Sequence, residues 1–271
     1  MRTAMSGTLR KPWIGLMWRL VRGGALAGAA LCLMAGAGRE ELRLATTLSS
    51  DQLVHNFNTV VFYNEFNKNR DSRLRKWVKP LRIYVDIRAG DPSIILDTVG
   101  AHIAHLAEIT GHDIALTGNR AEANTTVVFE RDGLLDSVKI DYFAPDFDIR
   151  TVMQTNLCIG QYRSNDKFEI TDAVVVIPID RVMSRGRLKA CIIEELTQVL
   201  GLPNDSDTVF PSVFNDHSPD VDLSAQDVLL LKLLYDPRLT VGMPRQNVLA
   251  EARAILADWG IEKLTIGAAA H

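Results

Sequence analysis

At 271 residues the chain is long enough for one large domain or two modest ones, and 47% hydrophobic with 23% charged residues is the balance of an ordinary globular protein. Residues 1–37 hold five of the 30 basic residues and none of the 33 acidic ones, so the chain that follows them carries a net charge of −8. Such a charge argues against nucleic acid and against an anionic membrane surface as partner, and no basic stripe interleaved with aromatics occurs later in the chain.

The five basic residues (Arg2, Arg10, Lys11, Arg19, Arg22) precede an apolar run of small residues at 25–35, and Ala35-Gly36-Ala37 closes it. A basic front, a short apolar middle and an A-x-A site have the form of a secretory signal. Eleven apolar residues are too few to cross a bilayer as a helix, although an uncleaved membrane anchor is the alternative reading of the same stretch. Translation from Met17 rather than Met1 would give a signal of more usual length, and Cys32 lacks the preceding spacing that lipid attachment requires. Export with cleavage after Ala37 is the expectation, leaving a secreted or periplasmic protein with no stable membrane span.

Ser49-Ser50-Asp51 caps a segment with Leu53, Phe57, Val60 and Val61 at helical spacing. Residues 81–87 follow Pro80 and alternate as a strand. Asp91-Pro92 opens and Gly111 stops a helix over 92–110. Residues 125–130 and 173–179 are short β-branched runs that read as strands, and the Asp-rich stretch 141–150 between them reads as loop. A helix over 187–200 ends at Gly201 and Pro203, another begins after Ser224 and ends before Pro237, and 246–260 carries the last. The class is α+β: a small mixed sheet with a backing helix, followed by helices in the final third.

With the signal removed, Cys158 and Cys191 remain, and an isolated pair in an oxidising compartment usually forms one bridge; two buried free thiols are the alternative. The bridge would tie the 187–200 helix to an upstream segment.

That helix reads C-I-I-E-E-L-T-Q-V-L-G-L-P-N-D over 191–205. Glu194 and Gln198 are four apart and share a face, with Glu195 about a quarter-turn away, while Leu188, Ile192, Leu196 and Val199 fall on a core-facing arc. A solvated helix face shows the same pattern. The five residues 194–198 also occupy the frame of H-E-x-x-H, in which two His hold zinc and the Glu activates water. Glu195 stands at the Glu, Gly201 at the glycine of the longer H-E-x-x-H-x-x-G-x-x-H pattern, and Asn204 at the third ligand. Downstream, Phe214 in P-S-V-F-N-D occupies the place of the metzincin Met-turn.

Together these features resemble the metzincin-like, or more broadly zincin-like, metallopeptidases, and more closely a secreted bacterial family of unknown function with an E-E-L-T-Q helix. The resemblance covers residues 50 to 245 and leaves the signal and the last helix outside it; the expected organisation is a signal at 1–37, a zincin-like domain at 38–245 and a C-terminal helix and tail at 246–271. It makes Glu195 the candidate general base and Glu194, Gln198 and Asn204 the degenerate ligand positions. Amide oxygens are poor zinc ligands and suit harder ions such as Ca²⁺. Other candidates are weaker. His102 and His105 read as a half-exposed helix face, and the N-D-S-D and N-D-H-S-P-D-V-D stretches read as turns without calcium-loop spacing. His217 could reach Glu194 through a folded turn.

Two functions follow. One is a non-catalytic pseudo-peptidase that needs no cofactor and binds an envelope protein or peptide in the former substrate cleft. The other is a hydrolase that uses Glu195 with zinc or another divalent metal on an unusual set such as Glu194, His217 or Asp205.

Overall fold

The computed structural model describes residues 46–63, 72–218 and 221–266; the expected signal peptide lies outside the described residues. In chain order the elements are β1 (Thr46–Ser49), α1 (Ser50–Phe62), β2 (Lys76–Trp77), β3 (Leu81–Ile87), α2 (Pro92–Thr110), β4 (Ile114–Leu116) and β5 (Thr125–Glu130). Then come α3 (Leu135–Tyr142), α4 (Ile149–Thr155), β6 (Ile159–Ser164), β7 (Glu169–Pro178) and α5 (Ile179–Ser184). The chain continues through α6 (Leu188–Gln198), α7 (Ala225–Tyr235), α8 (Arg245–Asp258) and β8 (Lys263–Ile266).

The helix boundaries follow local chemistry. The Ser49 hydroxyl accepts from Gln52 N, and Gln52 Oε1 accepts from Ser49 N, closing a capping box on α1. Asp91 Oδ1 accepts from Ser93 N at 2.9 Å, Pro92 fills the first helical position, and Gly111 ends α2 at φ 65°.

The fold is α+β. The larger sheet runs β4-β3-β5-β7-β6, with β2 joining the start of β7. β2, β3, β4, β5 and β7 pair in parallel, and β6 alone is antiparallel, against β7. Residues on β5 and β7 alternate between two apolar layers. Val127, Phe129, Val175 and Ile177 enter the main core, which also takes in residues of α1, α2, α6, α7 and α8. Val128 and Val176 enter a second cluster with Leu135 and Val138 of α3 and Ile149 and Met153 of α4. Both faces are covered, which is why these strands are nearly continuous apolar runs.

The stretch between β5 and β7 differs from expectation. Residues 143–148 are irregular, but α3, α4 and β6 surround them. The short helices carry few apolar residues because only one face of each packs, and β6, an edge strand, is buried mainly at Ile159. At the ends of the described residues, β8 pairs antiparallel with β1, and α8 packs on α1.

Candidate functional site

α6 is buried nearly all round, unlike an ordinary surface helix. The carbonyls of the turn just beyond it are satisfied from other elements. Trp77 Nε1 donates to Val199 O at 2.9 Å, and Tyr235 Oη donates to Leu200 O at 2.9 Å. Gly201 then turns the chain at φ +117°, where an added Cβ would stand 2.7 Å from Arg75 O. Only glycine suits both the dihedral and the approach.

α2 holds the other side. Thr197 Oγ1 donates to Ile193 O at 2.6 Å, so its lone pairs face His102 Nε2 at 3.1 Å, and the imidazole is the donor. His102 is buried, and burial pulls its pKa down to about 4. The half-exposed reading of His102 is therefore corrected: α6 supplies the buried hydroxyl that lets a histidine sit in the core. His105 is exposed, as expected of that face.

At the start of α6, Cys191 is bonded to Cys158 beside β6, with Cα atoms 6.0 Å apart. The expected disulfide is present and ties the helix to the edge strand. One turn later, Glu194 and Glu195 both line a cleft of about 230 Å³ between α6, the α4–β6 connection and the loops after α5 and α6. Glu195 is buried against Gly160 of β6. A Cβ added there would lie 2.8 Å from Glu195 Oε2 and 3.2 Å from its carbonyl oxygen, so the glycine makes the room the carboxylate occupies.

Glu194 meets two acids from the following loops. Carboxylate oxygens of Glu194, Asp205 and Asp216 all lie within 4.8 Å of one another. Desolvation first, then the charges of Asp205 and Asp216, holds the Glu194 pKa well above the usual carboxylate range; Arg187 opposes this without forming a salt bridge to it. Gln198, the second degenerate ligand position, donates from Nε2 to Asp205 Oδ1 at 2.6 Å. Asn204 is buried in the turn one residue before Asp205.

The loop that brings Asp216 is fixed from α7. Asp227 accepts from Ser212 Oγ at 2.5 Å, Val213 N at 3.1 Å and Ser224 N at 2.8 Å. Burial raises its pKa to about 6 against these hydrogen bonds. Ser212 and Val213 share a small space with Glu194, and Phe214 is fully buried. His217 lies apart from the three acids' oxygens as an exposed residue 3.4 Å from Asp207. Asp216, not His217, is the residue the turn delivers. Sequence reasoning missed it because the N-D-H-S-P-D-V-D stretch has no metal-loop spacing of its own; the 11-residue intervals from Glu194 to Asp205 and Asp205 to Asp216 carry no recognised signal.

A catalytic zinc centre draws mainly on His, Cys or mixed ligands. Positions 194, 198 and 204 supply one carboxylate and two amides, both described cysteines are in the disulfide, and the converging atoms are oxygens. Zinc does not fit this set well; harder ions do.

A family model described as "Protein of unknown function (DUF2927)" matches residues 50–256. No curated protein matches the chain.

Proposed function

The chain belongs to the DUF2927 family, and we propose that it is an exported, zincin-like binding protein whose cleft receives a protein or peptide of the cell envelope without cutting it. The observation that carries this reading is the state of Gln198. Where an H-E-x-x-H peptidase needs its second nitrogen ligand, this chain has an amide committed to Asp205. Without a metal of zinc's strength, a water beside Glu195 keeps a pKa near its bulk value.

Three features support the rest. The Cys158–Cys191 bridge suits an oxidising, non-cytoplasmic compartment. No helix among the described residues is long and apolar enough to cross a membrane. Cys158, immediately before the edge strand β6, lines the cleft, and such edges accept extended peptides through their backbone groups.

One observation favours the hydrolase as a second reading: Glu195 lines the same cleft as the three clustered acids. The two readings part in one experiment. Purified protein lacking residues 1–37 is incubated with a defined peptide mixture, and mass spectrometry scores both cleavage and retention. Binding predicts peptides that stay intact with or without chelator, and a retained subset. Cleavage that disappears in Glu195→Ala would establish the hydrolase instead.

A further inference from the structure

We propose that Glu194, Asp205 and Asp216 form a binding site for a hard divalent cation of the Ca²⁺ class. Three carboxylates from three separate segments converge here, and their oxygens lie within 4.8 Å of one another. Ca²⁺ bonds oxygen at about 2.3–2.6 Å, so oxygens on opposite sides of the ion stand up to about 5 Å apart, and the span matches. The donor set is all oxygen, the class that selects hard ions over zinc or copper.

A second observation points to a ligand. Glu194 is largely enclosed and aims its carboxylate into the cleft, yet among the described residues it makes no hydrogen bond and no salt bridge. A carboxylate so enclosed is unfavourable unless it is protonated or paired. The fold brings two further acids toward it; Arg181, Arg185 and Arg187 also line the cleft, and none of them closes a salt bridge with Glu194. Gln198 meanwhile donates to one oxygen of Asp205 and so orients the other. An amide that positions a ligand carboxylate is the usual outer support of a metal centre. The acids are also poised at different depths, Glu194 and Asp205 partly buried and Asp216 exposed, which gives an ion a route in from solvent.

This inference stands on the carboxylate geometry and holds whether the cleft binds or cuts, since peptide cleavage and ion uptake are read separately. The test is calorimetric titration of CaCl₂ into the chelator-stripped protein lacking residues 1–37, with MgCl₂ and ZnCl₂ as parallel arms. One saturable Ca²⁺ per chain is expected, with a rise in thermal midpoint that follows ion concentration. Asp205→Asn keeps an oxygen for Gln198, and Asp216→Asn lies at the surface, so both should fold. Each should weaken Ca²⁺ by at least about tenfold through loss of a ligand charge. Asp207→Asn, an exposed acid outside the trio, should leave affinity unchanged. Absence of saturable Ca²⁺ uptake at millimolar ion, equal affinity in the Asp205 and Asp216 variants and the parent, or displacement of Ca²⁺ by equimolar Zn²⁺ would each overturn the assignment.

Discussion

Gln198 Nε2 donates to Asp205 Oδ1 at 2.6 Å, across the Gly201 turn that ends α6. The bond joins a buried helix residue to the loop that carries one acid of the cluster. Gln198→Leu conserves volume and removes the donor, so Asp205 loses its support inside a partly buried site. Urea unfolding should register a loss of about 2 kcal/mol, the range for a hydrogen bond to a charged group. An unchanged midpoint would mean the loop holds Asp205 without Gln198.

Gly160 and Glu195 occupy one space. In Gly160→Ala the new methyl would stand 2.8 Å from Glu195 Oε2 and 3.1 Å from Val199 Cγ1. Overpacking of this kind costs about 1–3 kcal/mol. Glu195→Ala clears the main obstacle, so the two substitutions should be less harmful together than their sum. Strict additivity in a double-mutant cycle would place the side chains apart.

The bridge between Cys158 and Cys191 closes a 33-residue separation. The chain-entropy model assigns such a loop about 3–4 kcal/mol, and Cys158→Ala with Cys191→Ala should lose a comparable amount. Reductant should destabilise the parent and leave the double variant unmoved. Equal sensitivity of both proteins to reductant would remove the bridge from the account.

His102 sets a pH dependence. Its folded pKa is near 4, below the 6.5 of a free imidazole, so the unfolded chain takes up the proton first as pH falls. The stability it contributes is present above about pH 6.5 and lost on descent toward pH 4. Asp227, raised to about 6, acts with the opposite sign: its contribution is present below its ordinary pKa near 3.8 and is lost as pH rises through 6. The parent therefore partly cancels the two slopes. His102→Gln keeps a donor for Thr197 and cannot titrate, so its stability deficit relative to the parent should shrink between pH 7 and pH 4 by on the order of 3 kcal/mol. A deficit constant across that range would show that His102 is not held neutral by burial.

Much of the scaffold was legible where punctuation and periodicity coincide. Asp91-Pro92 and Gly111 bound α2 as read, and Thr125–Glu130 is a strand as its β-branched run indicates. The edge strand β6 and the short helices α3 and α4 were not legible, because their apolar content is set by a second small core that no local pattern reveals. β1 and β8 pair across almost the whole described chain. At the site, Glu194 and Glu195 stood out because both lie on one helix. Asp205 was legible beside Glu194 as one ligand of an unusual metal set, whereas Asp216 comes from a turn-rich segment whose acids look like ordinary turn formers until the fold sets it beside Glu194. His102 was misjudged because the partner that allows its burial, Thr197, is 95 residues away.

We propose that the cleft lined by Glu194 and Glu195 is not a zinc centre. Elemental analysis of the protein lacking residues 1–37, purified from its own host without chelator, tests it most directly. Far less than one zinc per chain is the predicted result, since one carboxylate and two amides stand at the ligand positions. One zinc per chain, retained through dialysis, would contradict it.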